Sequence, residues 1–287
     1  MTNTSTKNSL IGWLLAAPMT LILSFFLLLP VIAIFAVSFW QSTAYSYSPA
    51  FIFENYEFLL SSPVTLSVYI KTLMFTGITW ACCLLIGFTV AYFLAFHIRS
   101  LPIQIGLFLL CTVPFWTSNI IRMISWIPFL GRNGIANNTL LELGLIDKPL
   151  EWLLFSDFAV ILAFVHLFTL FMIVPIFNSM MRLDRSLIEA AVDAGASGWQ
   201  VLCNVIIPLT KPGIMIGSIF VITLVMGDFI TVRFMSGGQS ASVGRVISNE
   251  IALLQYPAAS ASAVILLITV LIMIGILLRF VDIRKEL

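Results

Sequence analysis

A chain of 287 residues with 60% hydrophobic and only 9% charged side chains departs far from a water-soluble domain, where roughly 25% of residues carry charge. Its mean hydropathy of +1.08 makes lipid the expected solvent for most of it. The net charge of +1 argues against nucleic acid as a partner. The cysteines Cys82, Cys83, Cys111 and Cys203 fit neither a zinc spacing nor a secreted disulfide frame, and read as packing residues.

The first apolar stretch, 11–39, follows Lys7 and far exceeds the roughly 7–15 residues of a signal-peptide core. It is expected as an uncleaved span, broken or bent at Pro18 and Pro30. Further apolar runs at 66–96, 101–121, 157–180, 212–232 and 258–280 each reach the about 20 residues that cross a bilayer as helix. Strands of about ten residues alternating apolar and polar, as in a membrane barrel, do not occur. The expectation is an all-α integral membrane protein with six transmembrane helices, and therefore with both termini on one side.

Basic residues choose the side. With the N-terminus in the cytoplasm, Lys7, Arg99, Arg182, Arg185, Lys211, Arg279, Arg284 and Lys285 are inside, against Arg122, Arg132, Lys148, Arg233 and Arg245 outside. The positive-inside rule favours that orientation. The acids from Glu54 to Asp157, with Asp228 and Glu250, then fall on or near the outer side.

The polar segment 181–211 carries helix signals of its own. Ser186-Leu-Ile-Glu189 has the spacing of a capping box, a good helix former follows, and Gly195 stands where a left-handed cap ends such a helix. Ser197-Gly-Trp-Gln200 repeats the box and predicts a second short helix, with Pro208 and Pro212 bracketing the re-entry into the membrane. The segment reads as a helix–Gly–helix element rather than a loose linker.

Glu189-Ala190-Ala191, Gly195 and Val205-Ile206-Ile207-Pro208 resemble the "EAA" signature of ATP-binding cassette importer permeases, with the family spacing kept throughout. Only Val205 and Ile207 depart from it, each within its residue class. The resemblance implies the type I importer permease fold, with an N-terminal stub, first helix and outer loop over 1–65, the permease domain over 66–280 and a cytoplasmic tail at 281–287. It implies that Glu189, Ala190, Ala191, Gly195 and Pro208 couple the chain to a separate ATP-binding subunit. Nothing here resembles a phosphate-binding Gly-x-x-x-x-Gly-Lys-Ser/Thr loop, so the chain is expected to be a transport subunit rather than an enzyme. ATP and Mg would then reside on an ATPase dimer. A second permease, an external solute-binding protein and a bacterial inner-membrane location complete what the family implies. No cofactor or metal is expected in this chain.

Val113-Pro-Phe115-Trp116-Thr-Ser-Asn119-Ile-Ile-Arg122, Lys211-Pro-Gly213 and Gly227-Asp228-Phe229 with Gly237-Gly238 are similar to the first permease of spermidine/putrescine importers. Relatives of that group import opines, aminophosphonates or iron, and these stay open as solutes. An ion-gradient transporter would show internal repeats with broken helices, which are not evident. An intramembrane enzyme would need a catalytic constellation, which the two histidines do not supply.

Asp228 is the pathway candidate, because a carboxylate at membrane depth suits a polycation; the alternative is that it faces water in the headgroup zone. Trp116, Phe115 and Tyr92 can offer cation–π faces or serve as ordinary interface aromatics. His97 reads as an anchor at the end of the second span, Lys71 as a snorkelling side chain and Arg122 as structural. His166 is expected to be hydrogen-bonded across helices. Gly213-Ile-Met-Ile-Gly217 and the small residues 258–263 allow close helix approach, inside this bundle or against a partner.

Overall fold

The computed structural model describes residues 16–42 and 46–279. The expected start of the chain with Lys7, and the tail 281–287 with Arg284 and Lys285, lie outside the described residues. Among the described residues five helices are long and apolar enough to cross a membrane: α1 (Ala16–Val37), α3 (Pro63–His97), α8 (Asp157–Met181), α10 (Gly198–Gly227) and α13 (Tyr256–Arg279). A sixth crossing exists only if α4 (Leu101–Trp116) and the bent stretch Asn119–Glu142, turned 90° from it, count as one span.

The chain divides into two units, Met1–Ser62 with Ile247–Ile265 and Pro63–Val246 with Leu266–Leu287. In the first, α1 runs through both prolines, so the expected break is absent. A π-helical turn at Ser24–Leu28 precedes Pro30 instead. Proline has no N–H and crowds the carbonyl four residues back, here Phe26; widening the helix locally accommodates both. After α1 comes a two-residue hairpin, β1 (Gln41–Ser42) against β2 (Tyr47–Ser48), then α2 (Glu54–Ser61). Asn55 Nδ2 donates to the carbonyls of Ser38 and Trp40, each at 2.9 Å, closing the chain back on the end of α1. Phe39 packs against Phe51, Phe53 and Tyr56 around this closure.

In the second unit the core is built by α3, α8 and α10. Glycines set their spacing. A Cβ at Gly87 would lie 2.8 Å from Met172 Cγ, one at Gly217 2.7 Å from Met172 Sδ, and one at Gly213 2.5 Å from the Pro175 carbonyl oxygen. With no aqueous hydrophobic force between helices in lipid, close packing of this kind holds the trio together. The Gly213/Gly217 pair thus serves the internal bundle. Trp80 Nε1 donates to Ser218 Oγ at 2.8 Å, joining α3 to α10. Buried Gln104 donates to the Leu94 carbonyl at 2.7 Å and fixes the start of α4 against α3.

Two expected spans are redrawn. The run 101–121 is not one helix: α4 tightens to a 3-10 turn at Val113–Trp116 and ends at extended Thr117, and α5 (Asn119–Ile124), α6 (Trp126–Leu130) and α7 (Ile135–Glu142) follow. Pro114 begins the tightening, having no N–H for the helical ladder. Buried Asn137 secures the stretch, exchanging hydrogen bonds with Leu150 (2.7 and 3.2 Å) and donating to the Gly131 carbonyl at 3.0 Å. The fifth span is displaced: α10 begins at Gly198, well before 212, and stops at Gly227. A π-helical turn at Leu202–Ile206 precedes Pro208, the same device that precedes Pro30. Pro208 and Pro212 are therefore inside one long helix, and the expected second short helix is its first turn.

Candidate functional site

The polar connection between α8 and α10 is built around α9 (Arg185–Asp193). Its cap differs from the expected one. Asp184 Oδ1 accepts from the Ser186 N–H at 3.0 Å, so Ser186 and Glu189 lie inside the helix and form no box. An Asp two residues earlier caps as well as a serine does. That hydrogen bond and a second one from the Ser186 side chain hold the Asp184 carboxyl below the usual carboxylate range.

The C-terminus of α9 is closed as expected. Gly195 has φ +85°; the Gly195 N–H donates to Val192 O at 2.9 Å and the Ala196 N–H to Ala191 O at 3.0 Å. Those two bonds are a Schellman closure, and the left-handed residue it needs favours glycine. Immediately afterwards Ser197 and Gln200 form a reciprocal capping box that starts α10 (2.7 and 3.4 Å). With only four residues between α9 and α10, the element is short and rigidly terminated on both sides.

On α9, Glu189 and Ala190 are exposed and Ala191 half-buried; Gly195 is exposed and Pro208 half-buried. Ile188, Ala191 and Ala196 pack toward the core while Leu187, Val192 and Trp199 remain exposed. One face of the element is thus anchored and the other presents small and apolar side chains beside a carboxylate. Arg185 Nη2 reaches the Ala95 carbonyl at 3.5 Å, tying the element to the His97 end of α3.

The other candidates do not converge on one point. Tyr92 is at that same end of α3, packed on Phe88, Phe96 and His97. Asp228 is at the far end of α10, where it bridges to α11 (Ile230–Met235). Its Oδ1 accepts from the Thr231 N–H at 2.7 Å, and its backbone carbonyl accepts from Ser242 Oγ at 3.2 Å. Trp116 is largely exposed. Phe115 packs edge-on to Phe171 at 5.1 Å and lines a cavity of about 210 Å³ with Pro175 and Phe220.

Arg122 is buried, hydrogen-bonded to Asn119 Oδ1 and set 5.7 Å from the centre of the Phe115 ring. It acts within the fold, as its i,i+3 spacing from Asn119 allows. His166 Nδ1 accepts from Trp126 Nε1 at 2.9 Å, so the ring is neutral at that nitrogen and bonded between helices. Lys71 Nζ pairs with Asp157 Oδ2 at 3.0 Å. Nothing in the sequence signals a pair 86 residues apart. Among the described residues no group of three or more His, Cys, Asp or Glu is placed to hold a metal ion.

Several apolar spans, a glycine-spaced bundle and a capped helix–Gly–helix element between two of those spans define a multi-pass helical membrane protein. The family described as binding-protein-dependent transport system inner membrane component matches residues 89–285. Over 274 residues the chain is 34% identical to the spermidine/putrescine transport system permease protein PotB of Escherichia coli K12, covering 94% of this chain and 93% of that one. It is 36% identical over 230 residues to PotB of Haemophilus influenzae, covering 79% of each. Its backbone follows that of a bacterial ABC transporter chain involved in import of the acidic polysaccharide alginate, with a TM-score of 0.78 over 96% of both chains at 16% identity. The chain belongs to the binding-protein-dependent transport inner-membrane component family, and is a transport subunit.

Proposed function

We propose that this chain is one permease of an ATP-driven polyamine importer in a bacterial inner membrane, with both termini in the cytoplasm. The observation that carries the reading is the α9–Gly195–α10 element: a doubly capped helix with an exposed apolar face, in a chain whose 34–36% identical relatives bear spermidine/putrescine names. Segment 181–211 would dock on an ATPase dimer that binds ATP and Mg. Glu189 pairs there with a basic group, Ala190, Ala191 and Gly195 allow close approach, and Pro208 follows the π-helical turn inside α10.

The permease domain of 66–280 pairs with a second permease, and an external solute-binding protein delivers the polyamine. ATP binding and the loaded binding protein each stabilise a different state of the pathway, and the difference in those affinities drives the switch. Asp228, Phe115, Trp116 and Tyr92 are assigned to the pathway at separate depths, as weak successive contacts for a flexible polycation.

The test is uptake of spermidine and putrescine by the assembled complex. Glu189→Lys and Gly195→Leu are expected to reach the membrane in normal amounts while losing ATPase co-purification or transport. Normal values of both in both variants refute the coupling role. Full uptake with hydrolysis blocked refutes ATP drive. Unchanged kinetics in Asp228→Asn remove that residue from the path.

A further inference from the structure

At the Asp157 end of the bundle, one carboxylate holds an ammonium. Asp157 Oδ2 is 3.0 Å from Lys71 Nζ, and Asp157 Oδ1 accepts from the Ser240 hydroxyl. Both charged side chains are about one-third exposed, 31% for Lys71 and 39% for Asp157. The lysine head is a primary ammonium on a four-carbon stem, the same group that ends a polyamine. The pair is therefore a formed receptor for a primary alkylammonium, with a tethered copy of the ligand in place.

The ion pair is not what holds the surrounding loop. The segment between α11 and α12 (Val243–Ala252) is anchored without it. The Val243 N–H donates to buried Thr72 Oγ1 at 3.0 Å, and Ser242 Oγ donates to the Asp228 carbonyl. Gly237, at φ +58°, lies against the Phe155 ring. Exposed ion pairs contribute little to stability, so exchange of one ammonium for another costs little.

We propose that Asp157, oriented by Ser240, is an entry site for the primary ammonium of the solute, and that Lys71 occupies it between transport events. Incoming polyamine displaces Lys71, which neutralises the carboxylate again once the solute has moved on. This rests on the polyamine reading above. A purely structural tie between α3 and α8 makes the opposite forecast, because removing either partner then deletes the same bond.

The test is the rate of spermidine and putrescine uptake by the complete transporter in proteoliposomes, at saturating loaded binding protein. Asp157→Asn is expected to slow uptake by about two- to fivefold, the range an exposed ion pair allows. Lys71→Met, which removes the competing tethered ammonium, is expected to raise uptake above wild type. Where Asp157→Asn does not assemble, Ser240→Ala replaces it and is expected to slow uptake while Lys71→Met does not. An equal fall in the acid and lysine variants, or no fall in the acid variant, overturns the site. A wild-type complex that takes up neither polyamine overturns the polyamine reading, and the site with it.

Discussion

Gly213→Ala tests the idea that glycine contacts set the bundle. The added methyl carbon would stand 2.5 Å from the Pro175 carbonyl oxygen, 2.7 Å from Ser179 Cβ and 3.0 Å from Ile176 Cα. Ordinary contact begins at 3.4 Å, so α10 must withdraw from α8 by up to 0.9 Å, the difference between 3.4 and 2.5. Two of those three atoms are backbone and cannot rotate away. Overpacking of this kind costs about 1–3 kcal/mol, against a gain of roughly 0.5–1 kcal/mol for alanine over glycine in a helix. The net expectation is a loss of about 1–2 kcal/mol, which corresponds to a thermal midpoint lower by several degrees. Gly106→Ala is the control, since nothing lies within 4 Å of its added carbon; it should hold or raise the midpoint. Thermal unfolding of the two purified variants in one detergent gives the answer. A Gly213→Ala midpoint at or above wild type refutes the packing argument.

Three other outcomes are expected. Ser197→Ala removes the acceptor for the Gln200 N–H, so the amides of 198–201 should exchange with deuterium about fivefold faster for a cap worth ~1 kcal/mol; unchanged exchange contradicts the cap. Trp126→Phe leaves His166 Nδ1 without its donor and should lower stability by about 1 kcal/mol, whereas an unaltered midpoint shows that the bond is dispensable. Burial pushes the Glu250 carboxyl above the ordinary glutamate range, against a smaller opposing effect of the Ser262 hydrogen bond. The folded form then binds its proton more tightly than the unfolded one. Its stabilising contribution is full at acid pH and is lost as pH rises through the folded value. Glu250→Gln should therefore melt above wild type at pH 8, with the gap closing toward pH 4; a gap that widens on acidification reverses the sign and rejects the burial argument.

Composition and hydropathy alone fixed the class of molecule, because lipid as solvent demands long apolar segments whose backbone groups are satisfied within each helix. The Gly195 closure and the Ser197–Gln200 box were legible too, since caps and left-handed turns depend on residues a few positions apart. Span edges were not. Apolar runs at 101–121 and 212–232 read as helices, yet the first breaks at Thr117, and the second joins the end of a helix running from Gly198 to Gly227 to the start of α11. Local hydrophobicity cannot tell a bent helix from a straight one, or a polar first turn from a loop.

What only the tertiary structure decided lies between distant residues. It set Gly213 and Gly217 against α8, joined Trp126 to His166, and gave Arg122 a place under cover of Phe115. It also converted Lys71 from a lone cation near a helix end into the partner of Asp157. Such pairings follow from how helices cross, which is decided by the summed packing of whole faces, and no short stretch of sequence contains that sum.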